Sequence, residues 1–108
     1  MADFDVPARP SLDEQQGQTY PSLVAIMQRL LAPDGCPWDR EQSYASLRKY
    51  VLEEACEVID AIDSGRPEAL QDELGDLLLQ VVFRGELARR DGKFGPDDVV
   101  RAIVEKLV

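Results

Sequence analysis

The ten residues "LGDLLLQVVF", 74 to 83, constrain the chain more than any other stretch. At helical spacing they are apolar almost all the way round, which reads as a helix buried on every side. Asp76 sits inside the run. A lone buried carboxylate is costly unless it is paired or binds a metal, and no basic residue lies within one turn of it. Four helices from one chain of 108 residues would struggle to cover such a helix, so the expectation is a homo-oligomer, a dimer or a dimer of dimers.

The punctuation places the rest. Residues 1–18 are polar, carry two prolines and show no period, and read as a flexible N-terminal arm preceding one domain over 19–108. Pro21 opens a first helix to about 31, with Leu23, Ile26, Met27 and Leu30 at helical spacing. "APDGCPWDREQS" reads as a loop. Ser43 as N-cap and Gly65 as C-cap bound a second helix. Pro67 opens the third, which runs to about Arg90, and Pro96 opens a fourth. No segment alternates as a strand does, so the fold class is all-α, a helical bundle.

The second helix carries "VLEEACEVID", 51 to 60. Its helical wheel separates an acidic side, Glu53, Glu54, Glu57 and Asp60, from an apolar side, Val51, Ala55, Val58, Ile59 and Ile62. Alone, that is the pattern of a solvated acidic face. The third helix adds a matching pair. Glu54 and Glu57 are i, i+3, as are Glu73 and Asp76, and each pair projects to one face with Cβ atoms about 5–6 Å apart. The short connection makes the helices antiparallel neighbours. Facing pairs would give four hard oxygen ligands, suited to Mg²⁺ or Mn²⁺.

Composition narrows the chemistry. The formal charge is −9 and the pI near 4.4, which argues against nucleic acid or an anionic membrane as partner. A divalent metal can still bridge an acidic protein to phosphates. The absence of histidine removes imidazole bases and His-ligated zinc, and makes di-iron a poor reading. Cys36 and Cys56 lack CxxC spacing and read as small apolar fillers in a reducing cytoplasm. No apolar run approaches the roughly 20 residues of a membrane span.

"EEACE", then fifteen residues, then "ELGD" resembles the EExxE…ExxD pattern of MazG-type nucleoside triphosphate pyrophosphohydrolases. "CPWD", "DELGDLLLQVVF" and "DGKFGPDDVVRAIVEKL" match in order, so the resemblance covers about 20–108. It implies the all-α NTP pyrophosphatase fold, with helices from paired subunits around a Mg²⁺ site. It implies hydrolysis between the α and β phosphates of an NTP or dNTP, giving the monophosphate and pyrophosphate, a house-cleaning role in the nucleotide pool. By position, Glu54, Glu57, Glu73 and Asp76 would be metal ligands. Glu53 would be catalytic, as a further ligand or by orienting the attacking water. Arg84 departs from the family, which often has His there. The family's N-terminal domain also usually continues past "KL" into a basic segment.

Other residues carry two readings each. Trp38 either stacks on a nucleobase or, as the burial of Trp favours, anchors its loop in the core. Arg40, Arg48 and Lys49 either hold phosphates or pair with the acids. Arg84 and Lys106 are further substrate-binding candidates. Two other functions remain open: a related hydrolase of dUTP, dCTP or phosphoribosyl-ATP, and a non-catalytic dimerisation domain stabilised by metal.

Overall fold

Local hydrogen bonding sets the helix boundaries. The computed structural model describes residues 18–108, so the arm expected over 1–18 lies outside the described residues except for Gln18. Five helices follow: α1 Tyr20–Leu31, α2 Pro37–Arg40, α3 Tyr44–Ser64, α4 Pro67–Arg90 and α5 Pro96–Leu107. Among the described residues there is no strand. The one element unforeseen is α2, a single turn inside the expected loop, opened by Pro37. At the start of α3, Ser46 N–H donates to Ser43 Oγ at 3.1 Å and Ser43 N–H to Ser46 Oγ at 2.8 Å, a reciprocal cap. Gly65 ends α3 at φ 70°, a left-handed conformation that glycine adopts without a Cβ clash. Gly95 N–H donates to the Asp98 carboxylate at 2.8 Å and starts α5.

The core lies at one end of the molecule. Met27 of α1, Leu47 of α3 and Val82, Phe83 and Leu87 of α4 form its buried cluster, flanked by Tyr20, Leu23, Val24 and Tyr50. So α1 covers only the C-terminal half of α4 and the N-terminal half of α3. The rest of α3 and α4 extends beyond it as an antiparallel helical hairpin. That overturns one expectation. Only the 82–88 part of α4 is wrapped on all sides, whereas Leu74, Leu78 and Val81 face outward, and Asp76 is exposed.

The apolar side of α3 turns inward only in part: Ala55 and Val58 are half-buried, while Val51, Ile59 and Ile62 are exposed. The line turned toward α4 is Leu47, Glu54 and Ala61, spaced seven apart, with Leu47 and Ala61 buried. Leu52, Ile59 and Ile62 are outside at 66%, 57% and 58% exposure, together with Cys56, which is therefore no core filler.

Helix α4 carries one charge into the core. Glu86 is 1% exposed and accepts hydrogen bonds from Gln28 Nε2 at 3.3 Å and Arg89 Nε at 2.8 Å, tying α1 to α4. Next to it, Gly85 lets α5 approach. A Cβ there would lie 2.9 Å from Pro96 Cγ and 3.0 Å from Pro96 Cα. Gly85→Ala should therefore lower stability by about 1–3 kcal/mol, despite alanine's better helix propensity, because Pro96 must shift. Thermal melts would show it, and an unchanged or raised Tm would contradict the packing.

Candidate metal centre on the α3–α4 hairpin

The two i, i+3 pairs meet where α3 and α4 leave the core. Glu54 and Glu57 from α3 and Glu73 and Asp76 from α4 each offer one carboxylate oxygen, and these oxygens all lie within 4.8 Å of one another. Antiparallel packing is what superposes them, since each pair needs the other helix within side-chain reach. Glu54 and Glu73 are half-buried, while Glu57 and Asp76 open to solvent. The site thus has an inner wall and an outer mouth. Asp76 joins the cluster through its position beside the other three, not through the burial its apolar neighbours implied.

The electrostatics are those of anions without a counter-charge. Burial raises the pKa of Glu54 above the carboxylate range, and the charges of Glu57 and Asp76 add to it. Glu73 is pushed up to about 7, first by a hydrogen bond to Glu57 that favours the protonated acid, then by burial and its acidic neighbours. Glu54 Oε2 and Glu73 Oε2 are buried with no hydrogen-bond partner. Orphaned buried oxygens are rare in proteins and call for an explanation. No basic side chain forms an ion pair with any of the four among the described residues. Hard oxygen donors at this separation suit Mg²⁺ or Mn²⁺, so the residues present fit the cation implied by the pattern.

The other sequence candidates scatter. Glu53 is exposed, outside the four-carboxylate cluster, and its charge acts on Glu54. Trp38 is 51% exposed, so it does not anchor the loop as a buried residue would. Its ring meets Tyr50 edge-on, with centroids 6.2 Å apart. Lys49 Nζ lies 5.1 Å from the Tyr50 centroid, which links Lys49 to Trp38 through one aromatic ring. The Arg40 guanidinium donates to Pro33 O and stitches the loop. Arg84 is engaged inside the hairpin, donating to Leu47 O and to Gln80. Arg48 shares an open surface depression with Lys49 and Leu52. Lys106 lies on α5 beside Phe94 and Ile103, in a groove that shares no residue with the acidic cluster. Tyr50, Asp39 and Gln80 border Trp38 without having been singled out, and their types carried no signal of it.

Comparison with known proteins agrees with this arrangement. The family model for the MazG nucleotide pyrophosphohydrolase domain matches residues 42–108, which include both carboxylate pairs. The chain is 45% identical over 95 residues to the nucleoside triphosphate pyrophosphohydrolase/pyrophosphatase MazG of Thermotoga maritima, covering 88% of this chain and 37% of that protein. It is 50% identical over 86 residues to the nucleoside triphosphate pyrophosphohydrolase of Escherichia coli K12, covering 79% and 33%. A Mycobacterium tuberculosis protein of the same name is 42% identical over 97 residues, covering 88% and 29%. The chain thus spans about a third of the length of these relatives. With an all-helical fold, facing carboxylate pairs and a match over most of its described length, the chain belongs to the MazG nucleotide pyrophosphohydrolase domain family.

Proposed function

We propose that this chain hydrolyses nucleoside triphosphates between the α and β phosphates, releasing the monophosphate and pyrophosphate, with Mg²⁺ (or Mn²⁺) as cofactor. The observation that carries this reading is the four-carboxylate cluster with its two orphaned oxygens, in a member of this family. Glu54, Glu57, Glu73 and Asp76 would hold the cation, with the half-buried pair behind and the exposed pair at the mouth. A divalent ion held there supplies the positive charge that an acidic protein needs to bind a triphosphate.

The chain's own groups do the rest. Glu53 flanks the cluster in contact with solvent and would take the proton of the attacking water, a role left to carboxylates in a chain without histidine. Lys49, beside Tyr50, would meet phosphate, and the exposed Trp38 would stack on the base. Arg40 and Arg84 have their guanidinium groups engaged in holding the loop and the hairpin, which supports a positioning role over direct phosphate contact. Lys106 lines a groove on α5 that shares no residue with the cluster, which does not support a phosphate contact for it.

The outward apolar residues of the hairpin support a homo-oligomer in which a second hairpin completes a four-helix bundle. No helix among the described residues is long and apolar enough to cross a membrane, which fits the proposed work on nucleotides in the cytoplasm.

The direct test is pyrophosphate release from a panel of NTPs and dNTPs with Mg²⁺. Glu57→Ala and Asp76→Ala should each abolish release, and retained activity would refute the site. Hydrolysis confined to dUTP, dCTP or phosphoribosyl-ATP would narrow the substrate. A metal-dependent rise in Tm without turnover would instead point to a non-catalytic dimerisation domain.

A further inference from the structure

Trp38 opens onto a cavity of about 230 Å³ between α1, α2, α3 and α4. Its walls are mainly apolar or aromatic, including Leu47, Tyr50 and Phe83. Its polar groups are the side chains of Asp39 and Gln80, the Tyr50 hydroxyl and the Trp38 indole N–H. The Gln80 amide is not free to turn. Arg84, one turn further along α4, donates from Nη1 to the Gln80 backbone carbonyl at 2.9 Å and to Gln80 Oε1 at 2.8 Å. Nη2 of the same guanidinium donates to Leu47 O, which pins it to α3. A guanidinium has donors only, so only the carbonyl end of the amide can face it. The NH₂ end is turned away, and no hydrogen bond takes it up among the described residues.

We propose that Arg84 is a positioning residue that fixes Gln80 as a hydrogen-bond donor, so that the cavity accepts nucleobases bearing an exocyclic carbonyl in preference to those bearing an exocyclic amine. This rests on the cavity being the base site of the proposed hydrolase. Uracil and cytosine isolate the effect, because the rings match in size and differ at position 4, carbonyl against amine. Shape cannot separate them, whereas hydrogen-bond direction can. One well-placed hydrogen bond against one mismatched donor is worth about tenfold in affinity.

The chain has a single tryptophan, so its fluorescence reports on this cavity alone. Titrating the full chain with UMP and CMP, without metal, requires no turnover. UMP should bind about tenfold more tightly than CMP. Gln80→Glu keeps a partner for Arg84 but offers no donor, and should reverse the order. Arg84→Met should level the two nucleotides, and Arg84→Lys, also a pure donor, should restore the preference for UMP. A wild type that prefers CMP, binds both alike or binds neither overturns the proposal. So does an unchanged order across the variants, including uniform weakening by Arg84→Met, which would assign Arg84 to holding the helices together. The expected ranking without pyrophosphate release from any triphosphate would sink the hydrolase reading alone. Release with base-blind binding would sink this one alone.

Discussion

Replacing Glu73 by glutamine should destroy turnover and stabilise the metal-free protein at the same time. The substitution removes one of four clustered negative charges while nearly preserving shape. Loss of a cation ligand removes charge stabilisation at the reacting phosphate, and pyrophosphate release should fall on the order of 10³-fold. Without metal the same carboxylate opposes folding. Its pKa rises from an ordinary 4.5 to about 7 in the folded protein. The folded state therefore binds more protons than the unfolded state between those values, and stability falls as pH rises through that window. In EDTA the wild-type Tm should drop from pH 4.5 to 7, and Glu73→Gln should flatten that slope and melt higher at pH 8. Saturating Mg²⁺ should invert the wild-type trend, because binding requires the deprotonated cluster. A variant that melts lower than wild type in EDTA at pH 8 would mean that Glu73 is a structural residue, not a ligand held ready for a cation.

Which features could be read from sequence follows from how far each interaction reaches. The ends of α3 were legible because Ser43, Ser46 and Gly65 act within one turn of the backbone they cap. The cluster of Glu54, Glu57, Glu73 and Asp76 was legible because it needs only two i, i+3 pairs and a short antiparallel connection. Helical periodicity shows that the faces of α3 differ but not which face meets α4. The wheel separates an acidic side from an apolar one, whereas the line that packs on α4 is Leu47, Glu54 and Ala61, which draws on both. The burial of Asp76 was inferred from neighbours along α4, but α1 covers only the far half of that helix. The buried Glu86 carried no sequence signal, since its partner Gln28 lies 58 residues away. The acceptors of Arg84, Leu47 O and Gln80 Oε1, are not apparent until α3 and α4 are side by side.

The exposed apolar residues of α3 lead to the second large effect. Leu52, Cys56 and Ile59 follow i, i+4, i+7 spacing on the outside of α3, and Leu74, Leu78 and Val81 do so on α4. Neither stripe belongs to the core cluster of Met27, Leu47, Val82, Phe83 and Leu87. Apolar stripes on both helices of one hairpin suit another hairpin, and the net charge of −9 makes solvent exposure of so much apolar surface more anomalous still. Light scattering after size exclusion should give a dimer or larger for the wild type. Ile59→Glu combined with Leu78→Glu places two unpaired charges in that contact, which should weaken association on the order of 10³-fold or more. The variant should elute with the mass of one chain while its far-UV circular dichroism stays helical, since the core residues are untouched. Its pyrophosphate release should fall as well, because the stripes lie on the same two helices that carry the carboxylate pairs. A wild type that runs as a monomer, or a double variant that keeps the wild-type mass, would show that these stripes are ordinary surface.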